Sequence, residues 1–177
     1  MATTKWAIDP THSEIHFKVK HLMITTVTGS FNSFTASAET EAEDFSDAAI
    51  SFSAETASVD TGNEQRDGHL KSADFFESEK YPALTFTATS YTKKSGDEYT
   101  LTGDLTIKDV TKPVTLAVEF GGVAKDPWGN TKAGFTLSGK INRKDFGLNW
   151  NAVTEAGGLL VSEDVKISAE IQLVKQA

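Results

Sequence analysis

The stretch Tyr99-Thr100-Leu101-Thr102-Gly103-Asp104-Leu105-Thr106-Ile107 places Tyr99, Leu101, Leu105 and Ile107 on one parity, with Gly103 among them. Thr100, Thr102, Asp104 and Thr106 fall on the other. Successive side chains of a β-strand point to opposite faces, so this period of two builds a strand with one apolar face and one wet face. The alternation recurs along the chain: Ile15, Phe17 and Val19; Ile50, Phe52 and Ala54; Leu84, Phe86 and Ala88; Val114, Leu116, Val118 and Phe120. It returns in Ala133, Phe135, Leu137, Gly139 and Ile141, and in Val165, Ile167, Ala169, Ile171 and Leu173. With a weaker strand over residues 27–38, the count is eight. Strands of a parallel sheet are usually apolar on both faces, so these one-faced strands pair antiparallel. The 22 Thr and 15 Ser agree, since the branched Cβ of Thr suits a pleated surface. Pro10, Pro82, Pro113 and Pro127 fall between strands or at a strand's start, where no ladder N–H is lost.

Residues 61–81 break the period. Apart from Tyr81, their large apolar residues are Leu70, Phe75 and Phe76. They read as one or two short helical turns crossing one end of the sheet. Eight one-faced strands either close into a barrel or stack as two sheets. Closure removes exposed edges, and an eight-stranded barrel has room for its own side chains or one small ligand. The small inward residues Ala54, Ala88, Gly103, Ala133, Gly139 and Ala169 either leave space for a ligand or admit close packing and strand bends. Periodicity leaves both readings open.

The 177 residues suit a single domain spanning 1–177. A chain of that size buries about 70% of the surface its unfolded form exposes. With 17 Lys and Arg against 25 Asp and Glu, the formal charge is −8, which argues against nucleic acid as a partner. The absence of cysteine excludes a disulfide scaffold, a thiolate metal site and a Cys nucleophile. No apolar run approaches the roughly 20 residues of a membrane helix. Residues 1–6 show no charged region followed by an apolar one, which points to the cytoplasm. A mature chain trimmed of a leader would read the same and would be periplasmic.

Five motifs carry a resemblance. They are Trp6-Ala7-Ile8-Asp9-Pro10-Thr11-His12-Ser13-Glu14-Ile15-His16-Phe17 with Lys18-Val19-Lys20-His21, Gly29-Ser30-Phe31, and Asn63-x-x-Arg66-Asp67-x-His69-Leu70-x-Ser72-x-Asp74-Phe75-Phe76 followed by Tyr81-Pro82. Gly103-Asp104-Leu105-Thr106-Ile107-x-x-Val110-Thr111-Lys112-Pro113-Val114 and Ile141-Asn142-Arg143-x-Asp145-Phe146-Gly147 complete the set. Together, in this order, they resemble the YceI-like family. The resemblance implies an all-β, extended, eight-stranded, antiparallel, lipocalin-like barrel. It implies a long-chain isoprenoid or acyl lipid as ligand, a homodimer, and transient membrane contact without a span. Many members carry a secretory leader, which this sequence does not show.

For such a ligand the expected cavity set is Phe17, Val19, Phe31, Phe52, Phe86, Leu101, Leu105, Leu116, Val118, Phe135, Leu137 and Ile167. Burying hydrocarbon contributes about 0.8 kcal/mol per CH₂, so such a wall binds a long chain with few polar contacts. The expected polar mouth is Arg66 and His69 on the non-strand segment, with His12 beside them and Asn142 and Arg143 closing the other end. A guanidinium grips phosphate or carboxylate through paired bonds, or else pairs with a nearby Asp. No Gly-x-Ser-x-Gly elbow, His-Glu-x-x-His pair or phosphate-binding loop occurs. His12 and His16 share a strand face but stand about 13 Å apart, too far for one metal. The run Glu39-Thr40-Glu41-Ala42-Glu43-Asp44 reads as a solvated loop. The expectation is therefore a non-enzymatic carrier without catalytic residues, metal or cofactor. The alternative is an enzyme acting on a lipid held in the same cavity.

Overall fold

In the computed structural model, which describes residues 3–22, 24–41, 45–46, 48–148, 150 and 161–176, every period-2 stretch is a strand. In chain order the strands are β1 (Thr4–Ile8), β2 (Glu14–His21), β3 (Thr25–Phe31), β4 (Phe34–Thr40), β5 (Ala49–Glu55), β6 (Val59–Asp60), β7 (Ala83–Ser95), β8 (Glu98–Ile107), β9 (Val110–Lys125), β10 (Thr131–Asn142) and β11 (Asp164–Lys175). One α-helix, α1 (Glu64–Leu70), interrupts them. The ladder runs β1-β4-β5-β7-β8-β9-β10-β11, and β11 returns antiparallel to β1 through Trp6 opposite Lys175 and Ile8 opposite Leu173. β2 follows the line of β1 along β11, and β3 and β4 run together beside them. Each of these two couples is one broken stave, so the barrel has eight staves and closes on itself. The expected strand over 27–38 is therefore two strands, parted at Asn32 and Ser33. β1 lies outside the eight expected strands, because five residues are too few to show a period.

Local chemistry sets the break between β1 and β2. Pro10 has no N–H for a ladder, and Asp9 caps a 3-10 turn over Pro10–His12 by accepting from Thr11 N at 3.0 Å. The same carboxylate accepts from Lys132 Nζ of β10 at 2.6 Å and meets His12 Nδ1 at 2.8 Å. Lys132, then Thr11, then His12 hold the Asp9 carboxyl well below the usual carboxylate range. This nearly enclosed pair ties the broken stave to the far side of β11.

Aromatic rings plug that end of the barrel. Phe45, between β4 and β5, is fully buried, with its ring 5.0 Å from that of Trp6 and 5.1 Å from that of Phe135. Phe120 stacks on Phe135, and Tyr91 stacks on Tyr99. Phe45 adopts a left-handed φ of 65°, a conformation that costs a bulky residue about 1–2 kcal/mol and is here offset by burial of the ring. The expected solvated loop over 39–44 is only partly in view: Glu39 and Thr40 end β4, Thr40 is buried, and residues 42–44 lie outside the described residues.

At the opposite end, Asn63 caps α1 by accepting from Arg66 N at 3.0 Å. The segment expected as helical turns is this one helix followed by hydrogen-bonded turns, such as Phe76 N to Leu70 O at 2.9 Å. These turns bring Leu70, Phe75 and Phe76 over the barrel mouth.

Truncating Phe45 to Ala is expected to destabilise the fold by about 3–5 kcal/mol, read as a lower urea midpoint. Asp9→Asn is expected to lower the midpoint at pH 7. The carboxylate contributes stability above its unfolded pKa of about 4, and that contribution is lost as falling pH protonates it. Wild type and variant therefore converge in acid.

Candidate functional site

Between the aromatic plug and α1 lies a cavity of about 440 Å³, its wall almost wholly carbon. That volume falls within the roughly 300–1,000 Å³ of small-molecule sites. Phe17, Val19, Phe31, Phe52, Phe86, Leu101, Leu105, Leu116, Val118, Phe135, Leu137 and Ile167 all line it. They come from β2, β3, β5, β7, β8, β9, β10 and β11, and strand parity alone turns them inward. Phe45 and Tyr91 join them at the plugged end, and Leu70, Phe75, Phe76 and Trp150 at the mouth. Among the described residues, no helix is long and apolar enough to cross a membrane.

The small inward residues divide. A Cβ on Gly103 would strike the Phe86 ring and lie 2.6 Å from Thr87 O. Gly29 likewise seats Phe17, and Gly139 seats Leu116. These glycines admit a neighbour's side chain rather than a ligand. Ala54 and Ala133 are packed shut, whereas Ala169 lines the cavity.

The mouth differs from expectation. Arg66 lies at the cavity rim, but its Nε donates to Thr61 Oγ1 and its Nη2 to Thr61 O, both at 2.7 Å. His69 also lies there, its Nε2 2.9 Å from Asp74 Oδ2 and its ring packed edge-on to Phe75 at 5.1 Å and Trp150 at 4.7 Å. These bonds fasten α1 to its own surroundings. Arg143 is buried and spends Nε on Ser162 O, Nη1 on Leu148 O and Trp150 O, and Nη2 on Val161 O, at 2.6–3.2 Å. Burial opposes the charge of this guanidinium, and Glu163 favours it. Arg143 holds Trp150, whose ring meets His69, so it sits at the α1 end rather than the other end as expected.

Asn142 and His12 stand outside the cavity. Asn142 caps the 3-10 turn Arg143–Phe146, accepting from Lys144 N at 2.9 Å. His12 is exposed on the Pro10–His12 turn beside Asp9, level with the aromatic plug rather than the mouth. Phe45 is a lining residue the strand pattern misses, as are Tyr91 and Trp150. The one signal of Phe45 in the sequence is a lone large ring directly after an acidic run.

The profile of the YceI-like domain family matches residues 6–173. A UPF0312 protein of Staphylococcus aureus (strain MSSA476) is 39% identical over 170 residues, 96% of each chain. The crystal structure of a Campylobacter jejuni YCEI protein superposes with a TM-score of 0.75 at 36% identity, covering 89% of this chain and 90% of that one. A polyisoprenoid binding domain from Saccharophagus degradans shares the fold at 15% identity, with a TM-score of 0.68 over 97% and 98% of the two chains. The motifs, the closed barrel and these likenesses agree: the chain belongs to the YceI-like family.

Proposed function

We propose that the protein is a non-enzymatic carrier that takes up a long-chain amphiphile, shields it from water and releases it to a membrane or an enzyme. The observation that carries this reading is the apolar cavity of about 440 Å³ inside a closed barrel. Apolar burial is non-directional and grows by about 0.8 kcal/mol per CH₂, so the wall selects for chain length more than for polar detail. The twelve inward residues desolvate the chain, and α1 with Phe75, Phe76 and Trp150 covers it. The name of the Saccharophagus degradans domain supports a polyisoprenoid as the ligand class, with fatty-acyl chains as the other fit to the same shape. A homodimer and transient membrane contact belong to this reading.

Ala169→Phe tests it by filling the cavity without adding charge. Displacement of a fluorescent long-chain probe is expected to show at least a tenfold loss of affinity, about 1.4 kcal/mol. The outward Thr87→Lys is expected to leave binding unchanged, since it faces solvent opposite Asp104. Equal binding by wild type and Ala169→Phe would place the ligand elsewhere. Chemical change of the bound lipid on incubation would favour an enzyme.

A further inference from the structure

The barrel wall has a seam. β9 begins at Val110 and β10 ends at Asn142, yet their ladder stops at Ala117 opposite Ser138. Toward the mouth, β9 keeps only β8 as partner, from Leu116 opposite Leu101 to Val110 opposite Ile107. β10 there keeps only β11, from Gly139 opposite Ile167 to Asn142 opposite Asp164. Pro113 on the unpaired stretch has no N–H to offer a ladder. The 3-10 turn after β10 packs on β9 and bounds the gap at the mouth.

A side chain closes this gap rather than backbone bonds. Leu116 occupies the space that a side chain on Gly139 would need. Leu116 and Ile167 line both the inner cavity and a groove on the outer face. Two residues thus separate the lumen from that groove.

The groove is cationic. Lys166 on β11 stands directly opposite Lys18 on β2 and Lys140 on β10, and all three line it. Like charges directly opposite one another destabilise a sheet. The chain carries 25 acidic residues against 17 basic, so acids to pair with were not scarce. Among the described residues Lys18 and Lys166 have no ion-pair partner, and Lys140 reaches Asp164 at 3.6 Å with both side chains mostly exposed. Glu14, opposite Glu170, lies four residues from Lys18, about 13 Å away along the strand. Lys18 and Lys166 bring the fold no ion pair among the described residues. An anion resting on the lysine row would relieve the repulsion, and Arg66 and Arg143 at the mouth are already engaged with Thr61 and with backbone carbonyls.

We propose that the β9–β10 seam is a side portal, with the chain of the amphiphile passing Leu116 while its phosphate or carboxylate head rests on the Lys18–Lys166–Lys140 row. This rests on the carrier reading and adds the class of headgroup and the route. The test compares an isoprenyl phosphate with the isoprenyl alcohol of the same length, and with inorganic phosphate, on lipid-free wild type and the double variant Lys18→Gln, Lys166→Gln. Wild type is expected to prefer the isoprenyl phosphate about tenfold at low salt, and less as salt rises. The double variant is expected to lose that preference, keep its affinity for the alcohol, and melt no lower than wild type. Leu116→Ala is expected to speed uptake of both amphiphiles several-fold. A preference that survives in the double variant while both amphiphiles bind overturns this inference alone. So does an unchanged uptake rate in Leu116→Ala. Lysine-dependent binding of inorganic phosphate without any preference between the amphiphiles assigns the row to a free anion and overturns the headgroup role. Failure of both amphiphiles to bind removes the carrier reading as well.

Discussion

The pairing of β1 with β11 joins the first strand of the chain to the last, and the rest of the structure follows from that closure. An open sheet of one-faced strands would leave its apolar face and its edges exposed. Closed with eight staves, it has an inside too narrow for a water channel and wide enough for side chains or one small ligand. The inward residues of different strands then line a common lumen. The ends are a separate problem, because closing a sheet does not cap it. One end is filled by the rings around Phe45, and the other is roofed by α1 and the turns after it.

That division explains where the charges went. A lumen lined by carbon has no use for cations, and Arg66, His69 and Arg143 at its rim are engaged in holding loops in place. Arg143 shows the logic clearly. It donates to the buried carbonyls of Leu148 and Ser162, and a buried carbonyl left without a donor costs about 1–3 kcal/mol. Its planar fork satisfies four carbonyl contacts from one side chain, and a Lys in its place lacks that fork. The lysines of the outer groove contrast with it: they are solvated, mutually repelling, and separated from the lumen by Leu116 and Ile167.

Strand parity made the cavity legible. Phe86 and Leu105 sit opposite each other across β7 and β8, and their inward direction follows from alternation without any knowledge of the register. The one-faced pattern also implied antiparallel pairing, and the resemblance supplied closure, which periodicity left open. The mouth was not legible, because a guanidinium suits a backbone carbonyl as well as a phosphate. What decides between them for Arg143 is where the carbonyls of Leu148, Trp150, Val161 and Ser162 land, a tertiary fact with no local signal. Asn142 and His12 follow a local rule instead, one capping a turn and the other bonding the Asp9 cap of its own turn. Phe45 defeats pattern reading for another reason. It sits alone between strands, with a positive φ that only its burial makes tolerable.

The central claim is that the barrel holds a hydrophobic guest. Native mass spectrometry of freshly purified protein, followed by organic extraction of what dissociates, tests it most directly. The account predicts a discrete added mass that extracts as an isoprenoid or acyl compound, or uptake of such a compound when it is supplied to the lipid-free protein. A lipid-free mass together with failure to take up any long-chain amphiphile would contradict it.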